Sequence, residues 1–464
     1  MYTLATQATH NPLSGERALV VGLGKTGLSC ARFLHGQGFE VAVTDSRPQP
    51  PYLETLREEL PDVAVFVGGF DPRAFAQCDF IVLSPGVAAS TMEVAAAVAR
   101  GTPLLGDIEI FARYVTQPVV AITGSNGKST VTRLVGDMVQ RAGLHAAVAG
   151  NIGTPVLDLL DDSHIELFVL ELSSFQLETT HSLDAVAAAL LNISADHMDR
   201  YDSLQAYMDA KRAIFNGHGV MVYNRGDARV NEMVAQFPDA TRRRISFGLD
   251  VPAAGDFGLR QHAGETWLAR GETVLLPQSA LRIHGRHNVL NVLAALALGT
   301  ALELPDAAMQ AAVQAFSGLP HRTQWVASRN GVSWFNDSKA TNIGATVAAI
   351  EGFADRPLVL IAGGQGKGQD FGELRDALAR NAGEGVRAVL LFGEDADRIA
   401  AAVGDVVSTE CVADLEEAVR HAAQLADAGD AVLLSPACAS FDMFSGFEER
   451  GQRFMELVEK VVTS

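Results

Sequence analysis

The chain has 464 residues, of which 48% are hydrophobic and 20% are charged. At roughly 150 residues per domain this length predicts about three domains, each able to bury its own core. Lys and Arg number 36 against 55 for Asp and Glu, and the resulting formal charge of −19 argues against binding nucleic acid through excess positive charge. An anionic ligand must instead be met by local basic groups and backbone amides.

The cysteines and the first fifteen residues indicate the cellular compartment of the protein. The chain contains no Cys-x-x-Cys pair among Cys30, Cys78, Cys411 and Cys438, which argues against a disulfide framework or a zinc ribbon. Residues 1–15 lack the basic start and apolar core of a signal peptide, and no apolar run reaches the ~18 residues that suggest a membrane span. We expect a protein of the reducing cytoplasm without a membrane span.

Short runs rich in Val, Ile and Leu alternate with Ala-rich helical stretches along the chain. The runs are RALVVGLG, FEVAVTD, DFIVLSPG, PVVAITGSNG, LFVLELSS, AVAAALLNIS, PLVLIAGG, AVLLFG and AVLLSPA. Continuous apolar strands with intervening helices predict an α/β fold with parallel sheets covered on both faces. Turn-rich breaks near residues 101–107 and 318–320 predict domains over 1–107, 108–318 and 319–464.

The first glycine motif follows the strand ALVV. It has glycines at Gly22, Gly24 and Gly27, and Asp45 ends the next strand. Such a turn brings backbone amides and a helix N-terminus to a pyrophosphate, so it predicts a nucleotide or dinucleotide site, or alternatively a tight structural turn. The motif alone does not choose NAD over another diphosphate. The segment 84–86 ends a later strand at the same sheet edge and is either part of this site or a plain turn.

A second glycine-rich loop follows the strand VVAIT. It reads GSNGKST, from Gly124 to Thr130, and leads into an amphipathic helix. Its amides can surround phosphates, Lys128 can reach the terminal phosphate and Ser129 can bind Mg²⁺. Only two residues separate its glycines, fewer than in the usual motif. The setting between a strand and a helix nevertheless predicts a triphosphate site, with an ordinary helix cap as the alternative.

Further polar residues follow the next strands. Glu171 ends a strand and is a candidate Mg²⁺ ligand, or alternatively a helix cap. His197 lies between Asp196 and Asp199, where an ordinary turn is the alternative to a metal site. Lys211, taken alone, has the pattern of a solvated helix residue.

The last third of the chain adds LPHR, NDSKATN, GGQGK and SPACASFDMFSGF, which follow predicted strands or form glycine-rich turns. Side chains at such positions can face one shared cleft. Their lysines and hydroxyls suit a substrate that bears carboxylates, although each residue taken singly has the pattern of a surface residue.

A set of segments together resembles the Mur ligases, in the family's order and over nearly the whole chain: GSNGKST, LELSSFQLE, DHMDRY, HNVLNVLAALAL, GLPHR, NDSKATN and SPACAS. The resemblance implies a Rossmann-like N-terminal domain, a central P-loop domain and a Rossmann-like C-terminal domain. It also implies an ATP-dependent ligase that adds D-glutamate to UDP-N-acetylmuramoyl-L-alanine through an acyl phosphate, in the synthesis of peptidoglycan precursors.

The resemblance carries specific residues with it. The implied UDP-substrate contacts are Lys25, Thr26, Asp45, Ser46, Arg47, Ser84, Pro85 and Gly86. The implied ATP contacts are Gly124, Ser125, Asn126, Gly127, Lys128, Ser129, Thr130, Asn288, Asn291, Arg322 and Asp337. The implied D-glutamate contacts are Lys339, Thr341, Lys367, Ser440 and Phe447.

Two Mg²⁺ sites are implied as well, one at Ser129 and Glu171 and the other at His197 and a carbamylated Lys211. The implied catalytic residues are Lys128, His197, Lys211 and Asn151. Phe441 departs from the family pattern, which has Leu beside Ser440. The implied partners are small molecules, with no nucleic acid and no membrane, and the implied state is a cytoplasmic monomer.

Other functions stay open at this point. Within the family, the alternatives are an L-alanine-adding enzyme and a folylpolyglutamate-type ligase. An NAD-dependent oxidoreductase would use the first glycine motif but would leave GSNGKST without a role. An ATP hydrolase that ligates nothing would leave NDSKATN and SPACAS unexplained.

Overall fold

The computed structural model describes residues 13–198, 200–237, 241–283, 285–353, 356–380 and 385–463. Asp199, named above beside His197, lies outside these ranges. Three β-sheets flanked by helices take their strands from residues 17–105, 119–277 and 324–434 in turn. The predicted α/β class with mostly parallel sheets is confirmed. No helix in the described part of the chain is both long enough and apolar enough to cross a membrane.

The first sheet and its helices comprise β1 Arg17–Val21, α1 Lys25–Gly36, β2 Glu40–Asp45, α2 Leu53–Glu59, β3 Ala64–Val67, α3 Pro72–Gln77, β4 Phe80–Leu83, α4 Met92–Ala99 and β5 Leu104–Leu105. The strands are parallel in the order β3-β2-β1-β4-β5. All four residues of β4 are buried, as expected for a strand covered on both faces. The strand order reverses between β1 and β4, so the loops that follow these strands border the crevice where such sheets bind ligands.

The second sheet is the largest. Its elements are α5 Asp107–Tyr114, β6 Val119–Thr123, α6 Lys128–Arg141, β7 Ala146–Gly150, β8 Leu167–Glu171, α7 Ser174–Leu177, β9 Ala187–Leu190, α8 Leu204–Arg212, β10 Val220–Asn224, α9 Ala228–Ala235, β11 Arg244–Phe247, β12 Phe257–His262, β13 Glu265–Arg270, β14 Thr273–Pro277, α10 Arg286–Ala301 and α11 Asp306–Ala315. The order is β14-β13-β12-β11-β10-β9-β6-β8-β7. Strand β6 lies between β8 and β9, so the phosphate-loop candidate opens at a second reversal of strand order.

Part of this sheet departs from the parallel pattern expected from the sequence. Strands β12, β13 and β14 form an antiparallel meander at its edge. Their runs mix polar and apolar residues, because part of each strand is exposed. A search for continuous apolar runs therefore does not find them.

The third sheet and its helices comprise β15 Gln324–Arg329, β16 Val332–Asn336, α12 Ile343–Gly352, β17 Leu358–Gly363, α13 Gly372–Arg380, β18 Val386–Phe392, α14 Ala396–Val403, β19 Thr409–Cys411, α15 Leu415–Leu425, β20 Ala431–Leu434 and α16 Phe447–Thr463. The order is β15-β16-β20-β17-β18-β19, with only the pair β15 and β16 antiparallel among the described pairings. Strands β16, β20 and β17 are neighbours, so NDSKATN, SPACAS and GGQGK emerge side by side.

The glycine turn after β1 generates a prediction about stability. A Cβ added at Gly27 would collide with the carbonyl oxygen of Gly22, whereas a Cβ added at Gly36 of the same helix meets nothing within 4 Å. Gly27→Ala should therefore lower the free energy of unfolding by about 1–3 kcal/mol. Gly36→Ala should leave it unchanged or raise it by up to about 1 kcal/mol, because alanine favours the helix. Urea denaturation measures both, and equal losses would contradict the steric argument.

Candidate active site

The loop from β6 to α6 depends on its glycines. Gly124 and Gly127 have positive φ angles of 157° and 84°, which a residue with a side chain rarely adopts. A Cβ at Gly127 would also collide with the side-chain amide of Asn291. Ser129 and Thr130, which follow in α6, are buried. The amides of Ser125 and Asn126 donate to Asn192, so the amides that an anion could meet here are those at the start of α6.

Lys128 folds back over this loop. Its Nζ donates to the carbonyl oxygens of Gly124 and Ser125, each at 2.9 Å. Desolvation lowers the pKa of Lys128, and the charges of Glu171 and Asp196 oppose this effect. The loop thus holds a cation by neutral oxygens, and the cation keeps its capacity to bind phosphate.

The surroundings of the Glu171 carboxylate show whether a divalent cation fits beside the loop. The residue is 2% exposed, and its Oε1 accepts a hydrogen bond of 2.9 Å from Asn151 Nδ2. Its Oε2 is buried without a hydrogen-bond partner among the described residues. A buried carboxylate oxygen that has no donor suits a hard cation such as Mg²⁺.

The described residues form no group of three or more His, Cys, Asp or Glu side chains that could hold a metal. Mg²⁺ commonly binds through one or two carboxylates and completes its coordination with water and substrate phosphates. A site at Glu171 and the Ser129 hydroxyl is consistent with that pattern, and its remaining ligands would come from a nucleotide.

Lys211 is buried beneath the same loop, with 1% of its surface exposed. Its Nζ donates to the carbonyl oxygen of Gly124 at 2.9 Å and lies 4.7 Å from the ring centre of Tyr207. Burial lowers its pKa well below the usual value, and the nearby Lys128 lowers it further. An amine in this position gives up its proton readily.

His197 lies in a turn with a left-handed φ of 56°. Its ring centre is 4.7 Å from that of Phe175, and its Nε2 is 3.7 Å from Asp196 Oδ2. Asp196 Oδ2 also accepts a hydrogen bond of 3.1 Å from Asn342, in the segment that leads into α12. The turn is therefore in contact with the third sheet's unit.

The candidate nucleoside contacts surround a cavity of about 250 Å³ beside the loop. Asn288 and Asn291 are joined by a hydrogen bond of 3.1 Å on α10. Arg322 Nη2 donates to Ser129 Oγ at 2.9 Å. Burial raises the pKa of Asp337 to about 7, although hydrogen bonds from Thr323 and Ser435 act in the opposite direction.

A larger cavity of about 1330 Å³ joins the second and third units. Its lining includes the predicted site residues Ser125, Asn126, Gly127, Lys128, Ser129, Asn151, Glu171, His197, Arg322, Lys339, Thr341, Lys367 and Phe447. Lys339 Nζ lies 3.7 Å from the ring centre of Phe447, and burial lowers the pKa of Lys339 to about 8. The structure thus brings the phosphate loop and two lysines of the third unit around one space.

Ser440 and Phe441 are placed differently from these residues. Ser440 is 2% exposed and its carbonyl oxygen accepts a hydrogen bond of 2.8 Å from the amide of Phe444. The side chain of Phe441 is 66% exposed. The phenylalanine at 441 therefore adds no bulk to the buried interior.

The candidate UDP residues lie at the crevice of the first sheet. Asp45 is 2% exposed and accepts hydrogen bonds from the Leu23 amide at 2.7 Å and from Arg47. Burial raises the pKa of Asp45, but these hydrogen bonds outweigh it, and the pKa is lowered overall. The carboxylate thus fixes the glycine turn. Thr26 and Pro85 are partly buried, whereas Ser46 and Gly86 are exposed.

Two residues of this crevice make contacts outside their own loops. Ser84 Oγ donates to the Gly22 carbonyl at 2.7 Å, which joins the loops that follow β4 and β1. Lys25 Nζ donates at 3.0 Å to the carbonyl of Gly153, a residue that lines the large cavity. The crevice and the cavity are therefore adjacent.

Arg450 holds together two segments of the candidate site, and its part in the site was not predicted from the sequence. Its side chain is fully buried, although it lies on the last helix. It donates to the hydroxyl and carbonyl of Ser338 and to the carbonyls of Cys438 and Ala439. It therefore joins NDSKATN to SPACAS. The sequence shows only that this arginine shares a helix face with the apolar residues Phe454, Leu457 and Val458.

Comparison with known proteins identifies the class. Three family models match: Mur ligase MurD-like, N-terminal domain, over residues 16–106; Mur ligase middle domain, over 122–299; and Mur ligase, glutamate ligase domain, over 321–438. The chain belongs to the Mur ligase family of ATP-dependent ligases.

Individual relatives within the family share one name. UDP-N-acetylmuramoylalanine--D-glutamate ligase of Nitrosococcus oceani is 53% identical over 97% of this chain and 98% of its own length. The protein of the same name from Pseudomonas aeruginosa is 52% identical over 96% of this chain and 98% of its own length.

Solved structures share the fold at lower identity. A pseudomurein peptide ligase type C from Methanothermus fervidus has a TM-score of 0.60 at 19% identity, over 96% of this chain and 100% of its own. MurF ligase from Thermotoga maritima in complex with ADP has a TM-score of 0.61 at 16% identity, over 91% of this chain and 95% of its own.

The geometry of Lys128 generates a prediction. Lys128→Ala should lower ATP-dependent turnover by at least about 100-fold, because it removes the cation beside the phosphate loop. The fold should persist, since the lysine donates only to its own loop in the hydrogen bonds described above. Turnover and circular dichroism measure the two effects, and Lys460→Ala, at an exposed position of α16, is the control. Normal turnover of Lys128→Ala would refute the phosphate role.

Proposed function

We propose that this chain is an ATP-dependent ligase that joins D-glutamate to UDP-N-acetylmuramoyl-L-alanine in the synthesis of peptidoglycan precursors. The observation that carries the proposal is the full-length similarity, at 50–53% identity, to relatives with the name UDP-N-acetylmuramoylalanine--D-glutamate ligase. The cavity that joins the phosphate loop to Lys339 and Lys367 supports it.

The first step activates a carboxylate. A carboxylate oxygen of UDP-N-acetylmuramoyl-L-alanine attacks the γ-phosphorus of ATP, and the bond from that phosphorus to the bridging oxygen breaks to release ADP. Two anions must approach each other for this to happen. Lys128 and Arg322 reduce the repulsion, because both lie at the loop where the phosphates would bind.

The second step forms the amide. The free amine of D-glutamate attacks the acyl carbon and loses a proton, and phosphate departs with the electrons of the carbon–oxygen bond. Lys339 and Lys367 suit the carboxylates of the amino acid. Asn151 is held by Glu171 within the same cavity, where its amide can contact the phosphate or the acyl group.

Mg²⁺ would be held by Glu171 and Ser129, where it would neutralise charge on the phosphoryl oxygens. His197 and a carbamylated Lys211 would hold a second ion. The carbamate requires a neutral amine, which attacks the carbon of CO₂ and loses a proton to give a carboxylate-like anion. The lowered pKa of Lys211 favours this reaction.

Lys25, Thr26, Asp45, Ser46, Arg47 and residues 84–86 would hold the UDP end of the substrate. Asp45 would act there mainly by fixing the turn, since its oxygens already accept from Leu23 and Arg47. The remaining loop contacts to ATP would come from residues 124–130, with Asn288, Asn291 and Asp337 at the nucleoside. All of these groups belong to one chain, so the proposed reaction needs no second subunit. The proposal is a monomer that acts in the cytoplasm and binds only small molecules.

The test is the release of ADP in the presence of UDP-N-acetylmuramoyl-L-alanine and each candidate amino acid. ADP formation with D-glutamate and not with L-alanine is expected. Dependence on L-alanine would move the chain to another role within the family, and ADP release that needs no amino acid would indicate a hydrolase.

A separate prediction concerns Lys211. Lys211→Ala should lose nearly all activity, and added formate or acetate should restore part of it, because a small carboxylate can occupy the place of the carbamate. Sodium chloride at the same concentration is the control for ionic strength. Full activity of the variant without a supplement would remove the carbamate from the mechanism.

A further inference from the structure

Arg200 lies three residues after His197, in the turn that carries the candidate metal ligand. The amides of Arg200 and Tyr201 both donate to the His197 carbonyl, at 2.9 and 3.1 Å. The Arg200 side chain is 17% exposed. Its position is therefore set by the same short turn that sets the position of His197.

The guanidinium of Arg200 reaches from the second unit to the first. Its Nη1 donates to the Pro85 carbonyl at 2.8 Å, and its Nη2 donates to the Val87 carbonyl at 3.0 Å. The two carbonyls flank Gly86 in the loop after β4. A planar guanidinium can donate to both oxygens at once with a fixed orientation, which the single ammonium of lysine does not reproduce.

The same guanidinium packs on Phe175. Its Cζ lies 3.9 Å from the centre of that ring, and the rings of His197 and Tyr201 contact Phe175 with centre distances of 4.7 and 5.9 Å. Phe175 lies on α7, four residues after Glu171. One aromatic ring therefore connects Arg200 to both candidate metal-site segments.

The loop 84–87 does not need Arg200 for its own shape. Ser84 Oγ holds it to the Gly22 carbonyl at 2.7 Å, and the Val87 amide donates to the Ser84 carbonyl at 3.0 Å. Arg200 connects this loop to the turn at His197, and within the second unit it also pairs with Glu178 at 3.9 Å. Two other connections between these units, from Lys25 to Gly153 and from Ser29 to Asp158, do not reach the His197 turn.

We propose that Arg200 is a positioning residue. It fixes the distance and orientation between the loop 84–87, where the UDP end of the substrate would bind, and the turn at His197. This inference rests on the proposed function, in which one substrate spans both places. The substrate carboxylate must then meet the γ-phosphate at a distance set partly by this contact. Errors of about 1 Å in such a placement cost on the order of 100-fold in rate.

The experiment compares Arg200→Gln, Arg200→Lys and the wild-type chain. Steady-state kinetics give kcat and the KM values, and calorimetry gives the affinity for UDP alone. We expect Arg200→Gln to lower kcat by about 10- to 100-fold, while UDP affinity changes by less than about threefold, since no contact within the first unit is lost. The kcat of Arg200→Lys should lie between those of Arg200→Gln and the wild-type chain, because lysine restores the charge and one hydrogen bond.

The matched control is Arg229→Gln. Arg229 Nη1 donates at 3.1 Å to the Ile193 carbonyl, in the segment that leads to the same turn, but this contact stays within the second unit. Its kcat should stay near the wild-type value. Guanidinium ion added to Arg200→Ala should restore part of kcat, whereas the same concentration of sodium chloride should not.

Three results would overturn the inference. They are an unchanged kcat in Arg200→Gln, a loss of UDP affinity equal to the loss of kcat/KM with kcat intact, and an equal loss of kcat in Arg229→Gln. The proposed function fails separately, if the wild-type chain uses an amino acid other than D-glutamate. The comparison of kcat made with that amino acid still tests Arg200.

Discussion

Cationic groups enclosed around one loop form the constraint on which the rest of the structure depends. Desolvation lowers the pKa of Lys128 and Arg322, and their described hydrogen bonds go to the carbonyls of Gly124 and Ser125 and to the Ser129 hydroxyl. Glu171 and Asp337 are buried carboxylates whose charges act on Arg322, and Asn151 donates to one oxygen of Glu171. Two desolvated cations thus lie at one loop of a chain with a net charge of −19, and enclosing them is costly until an anion enters. The energy of binding a triphosphate partly offsets a cost that the fold already bears.

That arrangement explains why the three units must touch. The phosphate loop belongs to the second unit, and Arg322 reaches its Ser129 from the segment that leads into the third sheet. Asn342 contacts Asp196 across the same boundary, and Lys25 contacts Gly153 from the first unit. The two contacts of the third unit are small polar ones, which would suit closure of that unit onto the second, whereas buried apolar residues of the first and second units form one continuous cluster.

Much of the fold followed from the sequence, because the central parallel strands are buried on both faces and read as continuous apolar runs. The strands at the antiparallel edge did not, since half-exposed residues break up the runs. For the site, glycine loops and residues at strand ends were visible because their chemistry is local. The contacts of Arg450 and Arg200 were not, because Arg450 donates to a carbonyl 112 residues away, that of Ser338, and Arg200 to one 115 residues away, that of Pro85. A single sequence contains no record of which distant carbonyl an arginine meets.

The order of strands in the third sheet has a consequence for biosynthesis. Strand β20 is the last strand of the chain, yet it lies between β16 and β17. The first sheet has all its strands once residue 105 has been made, whereas the third lacks its middle until residue 434. On the ribosome the first unit is free to fold early. The side of the large cavity lined by Lys339 and Lys367 is complete only when nearly the whole polypeptide has emerged, so a chain released early carries the glycine-rich loop without the third unit's side of that cavity.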